Sequence, residues 1–135
     1  MLKTTVKKNS KRGQSLVEFA LIVPILVLLV MGIVEFGRIF MAQQAITNAS
    51  REGARTGVLP TSSTSDVEST VNTYMTNAGL TGTSSMTCTN VGPTTPSGSA
   101  TSVTVSYSLE ILTGTIVPGL GSSVNISHTT VMRHE

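Results

Sequence analysis

The sequence holds a single cysteine, Cys88, in 135 residues. It therefore forms no internal disulfide, and a small buried thiol is the expected state in preference to an intermolecular bridge. Cys88 also gathers no metal set, because His128 and His134 lie far from it in sequence. On one strand those two histidines would stand roughly 20 Å apart, too far to share an ion. No metal site and no cofactor are expected. Catalytic patterns are missing as well. Ser and Thr are plentiful, yet none sits in a recognisable nucleophile elbow, and Asp66, Glu68, Glu110 and Glu135 form no obvious acid pair. The glycine-rich pieces lack the lysine of a phosphate loop. The chain does not read as an enzyme.

Aromatic residues make up only 4% of the chain against 39% hydrophobic residues in all. Much of that apolar content lies in one run, so the remainder has material for one small domain with a modest core. A formal charge of +2 would point to nucleic acid or an anionic membrane if it were spread along the chain. It is concentrated instead. Lys3, Lys7, Lys8, Lys11 and Arg12 are five of the nine basic residues, and beyond residue 13 four basic residues face seven acidic ones, a net of −3. The body is acidic, and no nucleic-acid partner is expected.

What the chain does have is a long apolar run. From Phe19 to Val34 there is no charge, and Leu21, Ile22, Val23 and Ile25 to Val30 leave no polar face. With Leu16 and Val17 this gives a helix of roughly 28 Å, enough to cross a bilayer. A buried core helix is the competing reading, but the remaining sequence is too polar to enclose it. A cleaved secretory signal is another. Against it, the apolar core is longer than usual and the following GIVEFGR, Gly32 to Arg38, offers no small-x-small cleavage site.

The residues before the run are more specific: basic residues, Gly13, then Gln14, Ser15, Leu16, Val17, Glu18 and Phe19. This pattern resembles the type III leader of type IV pilin-like proteins, with glutamate at the fifth position after the cut and an aromatic beside it. The resemblance implies cleavage between Gly13 and Gln14 by a membrane prepilin peptidase, which leaves the apolar helix attached. Glycine suits the site because a residue without a side chain fits a protease cleft at little steric cost. Glu18, a carboxylate at the edge of the hydrocarbon, calls for a partner. The new amino group of Gln14 would supply one, from the same chain or from a neighbouring subunit. The simpler alternative is that Glu18 reaches the cytoplasmic interface. Pro24 removes one helical hydrogen bond, to Ala20, and is expected to bend or loosen the helix.

Beyond Val34, helical spacing continues through Glu35, Arg38, Ile39, Ala42, Ala45, Ile46, Ala49 and Gly53, with Gln43, Gln44, Asn48, Arg51, Glu52 and Arg55 on the remainder. From Gln14 to about Thr56 such a helix would measure roughly 65 Å, well beyond the hydrocarbon core. The small-residue stripe would pack on this chain's own head or on other subunits. Over Gly13 to Arg55 the sequence, with its second EFGR block and its NASREGAR ending, resembles the TadE-like family, pilin-like proteins of the Flp or Tad pilus assembly system. The closing TTVMRHE is similar to how such chains end.

Pro60 and a Ser/Thr run break the helix. Ser65 with Glu68 offers a capping box for a helix over 66–78 whose inner face is Val67, Val71, Tyr74 and Ala78. From Ser84 the period becomes two: Met86 and Cys88, then Val103, Val105, Tyr107 and Leu109, then Val124, Ile126, His128, Thr130 and Met132. Three antiparallel strands are predicted, joined by the turn-rich Gly92 to Ser99 and by a longer link from Gly114 to Ser123 that contains Pro118. His128 is expected in the core or at its rim. The fold class is thus α+β: a long membrane-spanning N-terminal helix, a short helix and a small three-stranded sheet. The expected organisation is a basic leader over 1–13, a helix over 14–57 with its membrane segment at about 16–34, and an extracytoplasmic head over 58–135.

The function expected from these readings is structural. The chain would be a minor pilin-like subunit, cut after Gly13, single-pass in a bacterial inner membrane with its N-terminus cytoplasmic, and assembled with other pilin-like subunits and the Tad machinery through Glu18 and Phe19. A major filament subunit or a secretion-system pseudopilin would use the same leader, although major Flp pilins resemble only the helical part. A membrane-anchored adhesive module, with the Thr-rich strands as its contact region, is the alternative of another class.

Overall fold

The computed structural model describes residues 10–81, 84–93, 95–112, 114, 119 and 121–134. The leader residues 1–9 (with Lys3, Lys7 and Lys8), the side chains of Lys11 and Arg12, Pro118 in the second link, and Glu135 lie outside the described residues. Two helices precede three strands: α1 (Ser10–Gly57), α2 (Thr64–Asn77), β1 (Ser84–Thr89), β2 (Ala100–Glu110) and β3 (Ser123–Arg133). This is the α+β arrangement the periodicities predict. The chain divides into two compact units, residues 1–34 and 35–135.

In the first unit, every residue from Gly13 to Val34 is exposed except the half-buried Val23 and Met31. Leu16, Phe19, Leu21 and Ile25 each leave more than half of their surface open. An exposed apolar surface of this extent marks a site for contact with lipid or with another protein. Pro24 lies inside α1 without ending it.

The second unit is built where α1 stops being apolar on every face. Ala42, Ile46, Ala49 and Ala54 are buried against Val67, Val71 and Met75 of α2 and against Val103, Val105, Tyr107, Leu109 and Ile126 of the sheet. The small-residue stripe therefore packs on the chain's own head. Its small side chains let α1 come close to its neighbours: a Cβ added to Gly53 would lie 2.7 Å from a methyl of Val71 and 3.3 Å from one of Val103.

The sheet has the order β1-β2-β3, antiparallel throughout, with Val105 of β2 opposite Met86 of β1 and His128 of β3. Alternation along β2 is complete: Thr101, Val103, Val105, Tyr107 and Leu109 are buried, while Ser102, Thr104, Ser106 and Ser108 lie on the other face. The link between β1 and β2 depends on Gly92. It holds φ +94, and a Cβ there would lie 2.8 Å from the carbonyl oxygen of Ser62.

One local prediction needs correction. α2 begins at Thr64, with Ser63 as its N-cap and Asp66 closing the capping box, where Ser65 and Glu68 were expected. Ser63 Oγ accepts the N–H of Asp66 at 3.3 Å, and Asp66 Oδ2 accepts the N–H of Ser63 at 2.8 Å and its hydroxyl at 2.6 Å. Both registers place an acid three residues after a serine. The earlier one also lets the adjacent Ser62 donate to the Thr56 carbonyl at 2.6 Å, which satisfies a last-turn acceptor of α1. The inner face of α2 is accordingly Val67, Val71 and Met75; Tyr74 is partly exposed and Ala78 is the C-cap.

Candidate functional site

The residues from Gly13 to Phe19 are helical and exposed. Gln14 and Glu18 stand four residues apart, one turn along α1, so a group on the backbone nitrogen of Gln14 and the Glu18 carboxylate belong to neighbouring turns. Phe19 leaves 67% of its surface open. Among the described residues, Glu18 has no hydrogen-bond or ion-pair partner. Gly13 sits within the helix near its start. A helical glycine is about 0.5–1 kcal/mol less favourable than alanine, so Gly13 weakens the first turns.

The second unit carries a carboxylate of a different kind. Glu35 is buried at 6% exposure. Its two oxygens each accept the backbone N–H of Leu112 at 3.2 Å, and Oε1 also accepts Nη1 of Arg38 at 3.2 Å. The same Arg38 nitrogen donates to the carbonyl of Glu110 at 3.4 Å. The group closes the end of β2 onto α1. Its chemistry is that of a clasp, since the carboxylate's acceptors are occupied by protein donors.

Ser50 and His128 stand within hydrogen-bond distance, 2.9 Å from Oγ to Nδ1, a pairing that in an open cleft would suggest a nucleophile and base. Here Ser50 is fully buried. Its hydroxyl lies 2.9 Å from the Thr47 carbonyl and 2.8 Å from the Thr130 hydroxyl. A serine enclosed in this way holds β3 to α1. At the other end of the head His134 is buried, with Nε2 3.3 Å from the Asn90 carbonyl and its backbone paired to Gly98 and Ser99. The two histidines thus serve separate contacts. Among the described residues, every buried side-chain nitrogen and oxygen has a partner.

Of the residues singled out in the sequence, Gly13, Gln14, Glu18 and Phe19 fall together on the first turns of α1. Glu35 and Ser50 carried no expected role. Glu35 had a signal in its place on the inner stripe of α1 and in Arg38 three residues on; Ser50 had none beyond falling one residue after Ala49.

Residues 13–55 match the family model described as TadE-like protein. The match covers α1 from Gly13 almost to its end, about a third of the chain. No curated protein and no solved structure matches the chain. The helix over Gly13–Gly57 is long and apolar enough to cross a membrane.

Proposed function

We propose that this chain, with its TadE-like helical region, is a minor pilin-like subunit of a Tad-type pilus. A prepilin peptidase cuts after Gly13; the apolar half of α1 holds the product in the inner membrane with the head outside; Glu18 and Phe19 then guide its assembly with other pilin-like subunits. The observation that carries this reading is the single exposed register Gly13, Gln14, Glu18, Phe19 at the start of an apolar helix matched over residues 13–55. A carboxylate facing lipid is costly by itself and tolerable once a cation meets it. The Gln14 amine released by cleavage is that cation. The chain performs no catalysis in this account. Deleting it from its own host is expected to reduce Tad pili, and a Glu18→Ala copy is expected to be cut normally yet fail to restore them. Full restoration by Glu18→Ala would reject the assembly role.

A second reading, a head that binds a surface, draws on the outer sheet face. There hydroxyls pair across strands, Thr104 with Thr129 at 2.8 Å and Ser106 with Ser127 at 3.0 Å, and leave a polar middle between Glu110 at one end of the face and Arg133 at the other. It is compatible with the pilus reading. A major subunit or a secretion pseudopilin would be told apart by its abundance in sheared filaments.

A further inference from the structure

The second unit contains an apolar surface that its own core does not use. On α1, Phe36 is 72% exposed, Phe40 59% and Met41 66%, and Leu112, next to the Glu35 clasp, is 51% exposed. From Gln43 onward the open face of the same helix is polar: Gln43, Gln44, Asn48, Arg51, Glu52 and Arg55 are all exposed. Between Glu35 and Met41 both charged side chains are paired within the chain, the buried Glu35 by the Leu112 N–H and the half-buried Arg38 by Glu35 and the Glu110 carbonyl. On the side of Phe36 and Phe40 this stretch carries no charged side chain.

We propose that this face, Phe36, Phe40 and Met41 with Leu112, is seated in the lipid of the outer leaflet, at the boundary of acyl chains and headgroups. Continuity identifies the occupant: Phe36 follows the last residue of the apolar run, Val34, by two positions on the same helix. The inference rests on the membrane anchoring in the proposed function. From Glu35 to Met41 the helix rises roughly 9 Å. The polar layer on each side of the hydrocarbon is roughly 5–8 Å thick, so a rise of that size takes the helix through it. The water boundary on this face therefore lies at Met41 and Gln43, about two to two and a half turns beyond Val34, where the uninterrupted apolar run stops. The burial of Glu35 and its pairing with Arg38 are what let two charged residues stand at that level.

The chain contains no tryptophan, so single-tryptophan variants report their own surroundings. Phe36→Trp, Phe40→Trp, Leu26→Trp and Asn48→Trp, each in the full-length chain, would be placed in phosphatidylcholine vesicles with and without lipid brominated near the carbonyl end of the acyl chain or, for Leu26→Trp, near its methyl end. Phe36→Trp and Phe40→Trp are expected to emit to the blue of Asn48→Trp and to lose intensity to bromine, as Leu26→Trp does, while Asn48→Trp is unaffected. If Leu26→Trp is quenched and Phe40→Trp behaves like Asn48→Trp, the seating is wrong and the anchor stands. Blue-shifted Phe40→Trp emission that bromine leaves intact, and that depends on the protein-to-lipid ratio, would replace lipid by a second copy of the chain. Loss of quenching at Leu26→Trp as well would overturn the anchor and the seating together.

Discussion

The carboxylate of Glu35 accepts the backbone N–H of Leu112 on both of its oxygens, each at 3.2 Å, across 77 residues of sequence. This contact ties the loop after β2 to the point on α1 where packing against the head begins. Glu35→Ala removes the acceptor from a part-buried donor and leaves Arg38 without its ion-pair partner. A loss of about 1–3 kcal/mol is expected, with Glu35→Gln in between. Urea unfolding of the head in detergent-solubilised full-length protein checks it.

A second buried contact behaves alike. Ser50→Ala takes away a hydroxyl that His128 and Thr130 both approach. The expected cost is about 1–3 kcal/mol. Thermal unfolding and hydrogen exchange along β3 would show it, with the main loss of protection around His128.

Packing at Gly53 sets a steric limit. Val71 is β-branched and buried, so it yields little to an added side chain whose Cβ alone would come within 2.7 Å. Gly53→Val is expected to destabilise the head by about 1–3 kcal/mol despite removing a helical glycine. Denaturant midpoints for the two proteins decide the sign.

The helix α2 carries a pH dependence. The Ser63 hydroxyl and then the Ser63 backbone N–H, both donating to Asp66, hold its carboxyl below the usual aspartate range. A group whose folded value is depressed adds stability above its unfolded value, about 3.9, and loses it as pH falls through the folded value. The contribution is therefore present at neutral pH and fades only in acid. Asp66→Asn should flatten the acid side of the stability profile and leave the neutral side sloped as before, measured by unfolding between neutral and acid pH.

Which parts of this molecule could be read from its sequence follows from how local their signals are. The apolar run and the strict alternation of Val103, Val105, Tyr107 and Leu109 are fixed by contiguous residues, and the strands fall where that alternation places them. The motif from Gly13 to Phe19 is equally contiguous. The start of α2 was ambiguous because Ser63 and Ser65 each precede an acid by three residues, and the choice turned on the neighbouring Ser62 reaching Thr56. The partner of Glu35 could not be read at all. Its donor is a backbone N–H that any residue at position 112 would supply, brought there by the path of β2. The place of Glu35 on the inner stripe of α1, with Ile39, Ala42 and Ile46, did mark it as a carboxylate turned toward the core.

The measurement closest to the central claim is the intact mass and N-terminal sequence of the protein after co-expression with an active cognate prepilin peptidase. The account predicts a product shortened by its first 13 residues, beginning at Gln14 and still holding the apolar helix, and a Gly13→Phe variant that stays uncut. An unchanged mass, or a mature chain that begins beyond Val34, would contradict it.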